Sequence, residues 1–242
     1  MAGETEWVRR NLGFRPDAMQ SRVLESRAQR GLLNCCRQWG KSTLGAAMAV
    51  HHVKAKSDRL ALIISPSARQ SGEFVRKAAR FLGKLGILPK GDGDNEISLL
   101  LPNGSRIIGL PSNEVTVRGF SAVSLMIIDE AARVGDEMYH AVRPMLAVSR
   151  GKLWLLSTPH GKRGFFYEMW KRGGRDWLRI SVPATECPRI RKSFLREERA
   201  TLSAHAFRQE YLCEFEDEEN HLFDRDVVER AFTYEIEPLV LV

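Results

Sequence analysis

Nine consecutive residues, Cys35-Cys36-Arg37-Gln38-Trp39-Gly40-Lys41-Ser42-Thr43, constrain this chain more than any others. Gly40-Lys41-Ser42 closes a phosphate-binding loop, whose general pattern is Gly, four residues, then Gly-Lys-Ser/Thr. Cys35 stands where the first Gly is usual. The chemistry tolerates that change: backbone N–H groups cradle the phosphates, the Lys reaches the β/γ-phosphates and the Ser hydroxyl ligates Mg²⁺. The apolar run Gly31-Leu32-Leu33-Asn34 precedes the loop and the helix-forming run Leu44 to Val50 follows it. Strand, loop and helix are the context the motif requires, and Cys36, Gln38, Trp39, Gly40, Lys41, Ser42 and Thr43 are the expected nucleotide contacts.

About ninety residues downstream, Leu125-Met126-Ile127-Ile128-Asp129-Glu130 is an apolar strand ending in two acids, the form of a Walker B motif. Such a run suits a strand buried on both faces of a parallel sheet. Asp129 is placed to hold Mg²⁺ and Glu130 to orient or deprotonate an attacking water. A solvated acidic turn is the bland reading of an isolated Asp-Glu, and the loop upstream argues against it. A further strand, Lys152 to Pro159, ends in Ser157-Thr158, small hydroxyl residues suited to sensing a γ-phosphate. Ser and Pro also favour ordinary turns, so this reading depends on the other two motifs.

Strands alternating with helices imply an α/β fold, a mostly parallel sheet with helices on both faces. Leu60-Ala61-Leu62-Ile63-Ile64 is the next strand, and Ser65-Pro66-Ser67 opens a helix running to about Leu85 whose N-terminus suits a phosphate. Residues 97–101 and 105–110 read as a hairpin around Asn103-Gly104. Residues 15–30 read as one helix. Phe14-Arg15-Pro16 with Gln20 resembles a Q motif, in which Gln offers the donor and acceptor that adenine needs. After Pro159 come a basic loop, a helix near 165–170, a strand at 177–182 and helices at 192–202 and 204–212. The expected division is a phosphate-loop ATPase core over 1–165, the last core strand and a lid over 166–235, and the start of a linker over 236–242.

Two arginines carry alternatives. Arg37, inside the loop, can stabilise transition-state charge or sense the γ-phosphate, and otherwise pairs with a nearby acid such as Glu130. Arg118, followed by Gly119, is placed to enter a neighbour's site as an arginine finger in a ring, and otherwise is a surface loop residue. Arg143 and Arg150 are further finger candidates.

The formal net charge is +7. Residues 210–242 hold eleven acids and two bases, so residues 1–209 carry +16. A basic body suggests a polyanion partner, although a solvated surface balancing an acidic tail gives the same count. Within 162–199, eleven Lys/Arg face five Asp/Glu, and Lys162, Arg163, Lys171 and Arg172 are the candidate DNA contacts. Four cysteines without metal spacing fit a reducing compartment. No run of eighteen or more apolar residues appears, so no membrane span is expected.

Together Phe14-Arg15-Pro16 with Gln20, the loop 36–43, Ser65-Pro66-Ser67, Arg118-Gly119, Ile127 to Ala132 and Ser157-Thr158-Pro159-His160-Gly161 resemble the ATPase domain of the large terminase subunit of tailed bacteriophages. Phe207 to Phe215, followed by Leu222-Phe223, is similar to the segment ending such domains. The resemblance implies an additional-strand ring ATPase that uses ATP and Mg²⁺. It implies a homo-oligomeric ring, often pentameric, that drives double-stranded DNA through a portal protein into a procapsid. It further implies a small terminase subunit as partner and the cytoplasm of the infected bacterial host as the place of action. Large terminase subunits continue into a nuclease domain; residues 236–242 read as the opening of that linker, Asp224 and Asp226 as surface acids, and cleavage activity is not expected. A helicase-like remodeller, a non-enzymatic DNA-binding assembly protein and a metabolic phosphate-loop kinase are the competing readings. Intact Lys41, Ser42, Asp129 and Glu130 argue against the non-enzymatic one.

Overall fold

Each central strand is an apolar run whose alternate residues are buried on opposite faces of one sheet. The computed structural model describes residues 3–112 and 119–217. In chain order the strands are β1 (Arg30–Cys35), β2 (Leu60–Ser65), β3 (Ser98–Leu100), β4 (Arg106–Pro111), β5 (Val123–Asp129), β6 (Lys152–Ser157) and β7 (Trp177–Val182). They form one seven-stranded sheet ordered β3-β4-β2-β5-β6-β1-β7. Only β3 runs antiparallel, against β4. The Asn103-Gly104 signal falls at the tip of this connection, which takes five residues rather than two, with Gly104 at φ 78°.

The helices are α1 (Glu4–Leu12), α2 (Ala18–Leu24), α3 (Lys41–Ala55), α4 (Ala68–Lys84), α5 (Asp136–Val142), α6 (Gly164–Arg172), α7 (Lys192–Thr201) and α8 (Ala204–Leu212). Leu33, Ile63, Ile127 and Trp154 pack in one core with residues of α1 to α4. Leu32, Leu62, Ile128 and Leu155 pack in a second core with α5 and α6. Both faces of the sheet are thus covered, which explains why its strands are apolar throughout rather than alternating.

The helix expected over 15–30 is shorter. Asp17 caps α2 by accepting from Gln20 N, while the Gln20 side chain accepts from Asp17 N, a reciprocal capping box. α1, unread in the sequence, begins with Glu4 and Glu6 and ends with Arg9 and Arg10, charges that complement the helix dipole. α6 and β7 belong to the same layered core as the strands before them. Among the described residues no helix is long and apolar enough to cross a membrane. Arg118, Asp224, Asp226 and the segment 236–242 lie outside the described residues.

Candidate nucleotide site

Parallel strands bring the three motif ends to one edge. β1 runs into the phosphate loop, β5 ends at Asp129, and β6, between them, ends at Ser157. The loop turns into α3 through Gly40, whose φ is 95°. A Cβ there would also lie 3.2 Å from the Gln20 amide nitrogen, so only glycine fits without strain.

Lys41 is buried, and its ammonium donates to the Cys35 carbonyl (3.0 Å), the Cys36 carbonyl (3.2 Å) and Thr158 Oγ1 (2.9 Å). Thr158 Oγ1 in turn donates to the Cys35 carbonyl at 3.1 Å. The loop lysine is therefore tied directly to the end of β6. Ser157 makes the second tie: its hydroxyl accepts from Ala132 N (3.1 Å) and donates to the Thr158 carbonyl (2.7 Å). Ala132 sits in the short 3₁₀ turn Ala131–Arg133 that follows Glu130.

Ser42 Oγ donates to Asp129 Oδ2 at 2.8 Å. The other carboxylate oxygen, Oδ1, is buried without a hydrogen-bond partner. Burial and the neighbouring Glu130 raise the Asp129 carboxyl to about 6, against the opposing pull of Ser42 and Lys41. A buried carboxylate with an unused oxygen beside a serine hydroxyl is a hard, all-oxygen donor pair, which fits Mg²⁺. Mg²⁺ of this kind takes one or two carboxylates plus substrate phosphates.

Glu130 adopts a left-handed backbone (φ 53°, ψ 43°) where β5 gives way to the turn. With Arg37, Gln38, Gly40, Lys41, Ser42, Thr43, Gln70, Lys77 and Arg133 it lines a cavity of about 390 Å³. Cys36, Trp39 and Gln20 stand behind this wall, each fully or almost fully buried. Gln20 Nε2 donates to the Trp39 carbonyl at 2.9 Å; Arg189 donates to the same carbonyl and to Asp17 Oδ2 at 2.8 Å. These three residues shape the loop from beneath, and Gln20 spends its acceptor on its own helix cap.

Arg37 pairs with Glu210 of α8, not with Glu130: it donates Nε to Oε2 and Nη2 to Oε1 (3.3 Å). Arg133 takes the place expected of Arg37, lying 3.5 Å from Glu130 and 3.3 Å from Glu210. Gln70, Lys77 and Arg133, which line the cavity, and Arg189 and Glu210, which hold Trp39 and Arg37 of the loop, were not singled out from the sequence. Lys77 and Gln70 come from the α4 helix, so that helix contributes side chains to the site. The candidate DNA contacts are internally engaged. Lys162 pairs with Asp217 at 2.5 Å, Arg172 lies 3.6 Å from Glu168, the Lys171 ammonium stands 5.6 Å from the Tyr167 ring centroid, and exposed Arg163 occupies the N-cap position of α6.

A family model described as terminase large subunit, T4likevirus-type, N-terminal, matches residues 32–230. The terminase large subunit of Thermus virus P23-45 is 26% identical over 248 residues, which cover 88% of this chain and 51% of that protein. The chain thus spans about half the length of the curated relatives it matches. The solved large terminase ATPase domain of Thermus phage P74-26 is 23% identical, with a TM-score of 0.76, covering 89% of this chain and 100% of that one. The large terminase of the thermophilic bacteriophage D6E, solved in complex with ADP, is 14% identical at a TM-score of 0.64, covering 78% of this chain and 48% of that one. These structural likenesses establish the fold, a mostly parallel sheet flanked by helices.

Proposed function

Because this chain belongs to the terminase large subunit family, T4likevirus-type, we propose that it is an ATP-hydrolysing motor unit that drives double-stranded viral DNA into a procapsid. The observation that carries the reading is the hydrogen bond from Ser42, which lines the phosphate-loop cavity, to buried Asp129, whose second carboxylate oxygen has no partner. Two of the similar solved structures, an ATPase domain and a large terminase in complex with ADP, support the same reading.

In this reading the backbone N–H groups of 38–43 cradle the phosphates, Lys41 moves from the Cys35 and Cys36 carbonyls onto the β/γ-phosphates, and Glu130 orients the attacking water. Ser42 and Asp129 would hold Mg²⁺, which would supply charge neutralisation to the phosphoryl group. Arg37 and Arg133, cationic and at the cavity wall, stabilise charge on the transferring group. Both leave Glu210 to do so, and α8 is thereby released. Ser157 and Thr158 carry the change in the opposite direction, from Lys41 and the Glu130 turn into β6. Arg118 acts as a finger in trans within a homo-oligomeric ring. The portal protein, the small terminase subunit and the host cytoplasm complete the proposed setting.

ATP turnover against protein concentration tests the reading, with Lys41→Ala and Glu130→Gln as controls. Turnover lost in both variants, by about 10²–10⁴-fold for Glu130→Gln, is expected, with ATP binding kept in the latter. Turnover rising steeply with concentration, and lost in Arg118→Ala, is expected of a finger in trans. Wild-type turnover in Lys41→Ala would refute the site.

A further inference from the structure

We propose that the amino-terminal rim of the sheet, opposite the nucleotide edge, is a binding site for the phosphodiester backbone of DNA, gripped by Arg30, Arg59, Arg143, Arg150 and Lys152. DNA as the polyanion rests on the function proposed above; the site itself rests on the following geometry.

Arg30 opens β1, Lys152 opens β6 and Arg59 immediately precedes β2. Because these strands are parallel, the three cations share one edge, about 16 Å from the phosphate loop at ~3.3 Å per residue. In the order β2-β5-β6-β1 they span three strand spacings, a row of about 14 Å. Arg143 and Arg150 flank the connection leading into β6. Two cavities adjoin here, sharing Gln29 and Arg150. One, of about 380 Å³, is lined by Arg59, Arg150 and Lys152 among others, and the second, of about 500 Å³, by Arg30, Arg143 and Arg150.

Among the described residues none of these five cations makes an ion pair. Arg30 donates to the Gly151 carbonyl (2.7 Å), Arg59 to His52 Nδ1 (3.0 Å) and Arg143 to the Tyr139 hydroxyl (2.6 Å). Glu4 is the only carboxylate lining either cavity, and it faces His51 Nδ1 at 3.2 Å. Lys162 and Arg172, by contrast, sit against Asp217 and Glu168. Lys162 and Arg172 thus already face acids, whereas among the described residues the five rim cations are met only by neutral groups.

The rim is also built. His52 Nδ1 accepts from Arg59, so its Nε2–H donates to Ser124 Oγ (2.8 Å), which donates to the Leu60 carbonyl (3.1 Å). That relay fixes the Arg59 guanidinium with a neutral partner, leaving its charge uncancelled. The buried Trp154 indole N–H, in the residue lining the smaller cavity, has no hydrogen-bond partner.

The chemistry favours a polyanion. A row of about 14 Å exceeds what one phosphate can contact, and four of the five cations are arginines, whose forks match phosphate oxygens. A protein partner needs large apolar or aromatic anchors, and Val148 is the only exposed large apolar side chain on this connection.

The test is binding of the 242-residue chain to a duplex of arbitrary sequence across a salt series, with ATP turnover measured alongside. Each lost phosphate contact lowers the slope of log K against log salt by about 0.9. Arg30→Ala/Arg59→Ala/Lys152→Ala is expected to lower it by about 2–3 while DNA-free turnover stays at wild type. Arg143→Ala/Arg150→Ala, which touches no buried relay, is expected to lower it by about 1–2, and covers the case in which the triple variant fails to fold. A slope unchanged in the double variant would overturn the proposal. So would the whole loss appearing in Lys162→Ala/Arg163→Ala/Lys171→Ala/Arg172→Ala, or a wild-type chain that binds an acidic protein and no duplex. Loss of turnover with intact rim-dependent DNA binding would instead refute the ATPase reading alone.

Discussion

Arg37 of the phosphate loop and Glu210 of α8 form a forked ion pair across 173 residues of sequence, and the same carboxylate holds Arg133. Two arginines that line the nucleotide cavity are thus retained by a helix that follows the sheet. Arg37 is 60% exposed at its side chain, so each pair stabilises the fold by only about 0–1 kcal/mol. On the proposed mechanism the same small energy opposes nucleotide, because each arginine must leave Glu210 before it reaches a phosphate. Glu210→Gln is therefore expected to bind an ATP analogue about 3–10-fold more tightly, since 1.4 kcal/mol is tenfold, and to melt within a few degrees of wild type. Weaker analogue binding by the variant, measured by fluorescence titration, would remove Glu210 from the competition.

Asp129→Asn separates stability from chemistry. Holding a carboxyl at about 6 rather than 3.8 means the ionised side chain is disfavoured in the folded state at neutral pH. Removing that charge while keeping an acceptor for Ser42 is expected to stabilise the chain by about 1–3 kcal/mol in urea unfolding. Mg²⁺-dependent turnover is expected to vanish in the same protein. A destabilised Asn variant would mean the carboxylate is held by something stronger than Ser42.

Ser157→Ala leaves the Ala132 N–H without its acceptor. Losing that partner is expected to cost about 1–3 kcal/mol of stability. The turn carrying Glu130 and Arg133 loses its tether to β6, so turnover is expected to fall more than ATP affinity. Thr158→Val is the contrasting case, removing an acceptor from Lys41 rather than from the turn. A Ser157→Ala enzyme with wild-type kcat would show that the turn is held adequately by Ala131 and Val134 packing alone.

Most strands were legible because burial on both faces leaves an unbroken apolar run, as in Leu60 to Ile64 and Leu125 to Ile128. The placement of Lys41, Ser42, Asp129, Ser157 and Thr158 near one another followed from a rule of parallel sheets, that neighbouring strand ends share an edge. Glu210 and Arg133 were not legible, because nothing local distinguishes an acid in an amphipathic helix that meets a phosphate loop from one that meets water. Lys77 was hidden in the same way, on a helix whose N-terminus drew attention instead. Gln20 was legible as special but not in its partners: its amide serves Asp17 and the Trp39 carbonyl, a contact that requires knowing where α2 lies beneath the loop. The rim cations were hidden because unpaired charge is a property of surroundings, and Arg30 or Arg59 in sequence looks no different from Arg172.

The last prediction concerns pH and the rim. Burial first, then Arg59, Lys152 and His51, press the His52 imidazole down to about 3 from 6.5. Its two nitrogens are engaged by Arg59 and Ser124, and Arg59 can only donate, so a proton on Nδ1 must break that bond. The unfolded chain takes up the proton near 6.5 and the folded chain does not until about 3. Between these values the unfolded state binds more protons, so stability rises with pH and is lost as pH falls. The limiting slope is about 1.4 kcal/mol per pH unit, or about 2 kcal/mol between pH 6.5 and 5. His52→Gln, which keeps a donor and an acceptor but cannot titrate, is expected to be less stable than wild type at pH 7 and to lose about 2 kcal/mol less on going to pH 5. Equal pH slopes for the two proteins in urea unfolding would show that His52 is protonated in the folded state, and that the Arg59–His52–Ser124 relay opens without cost.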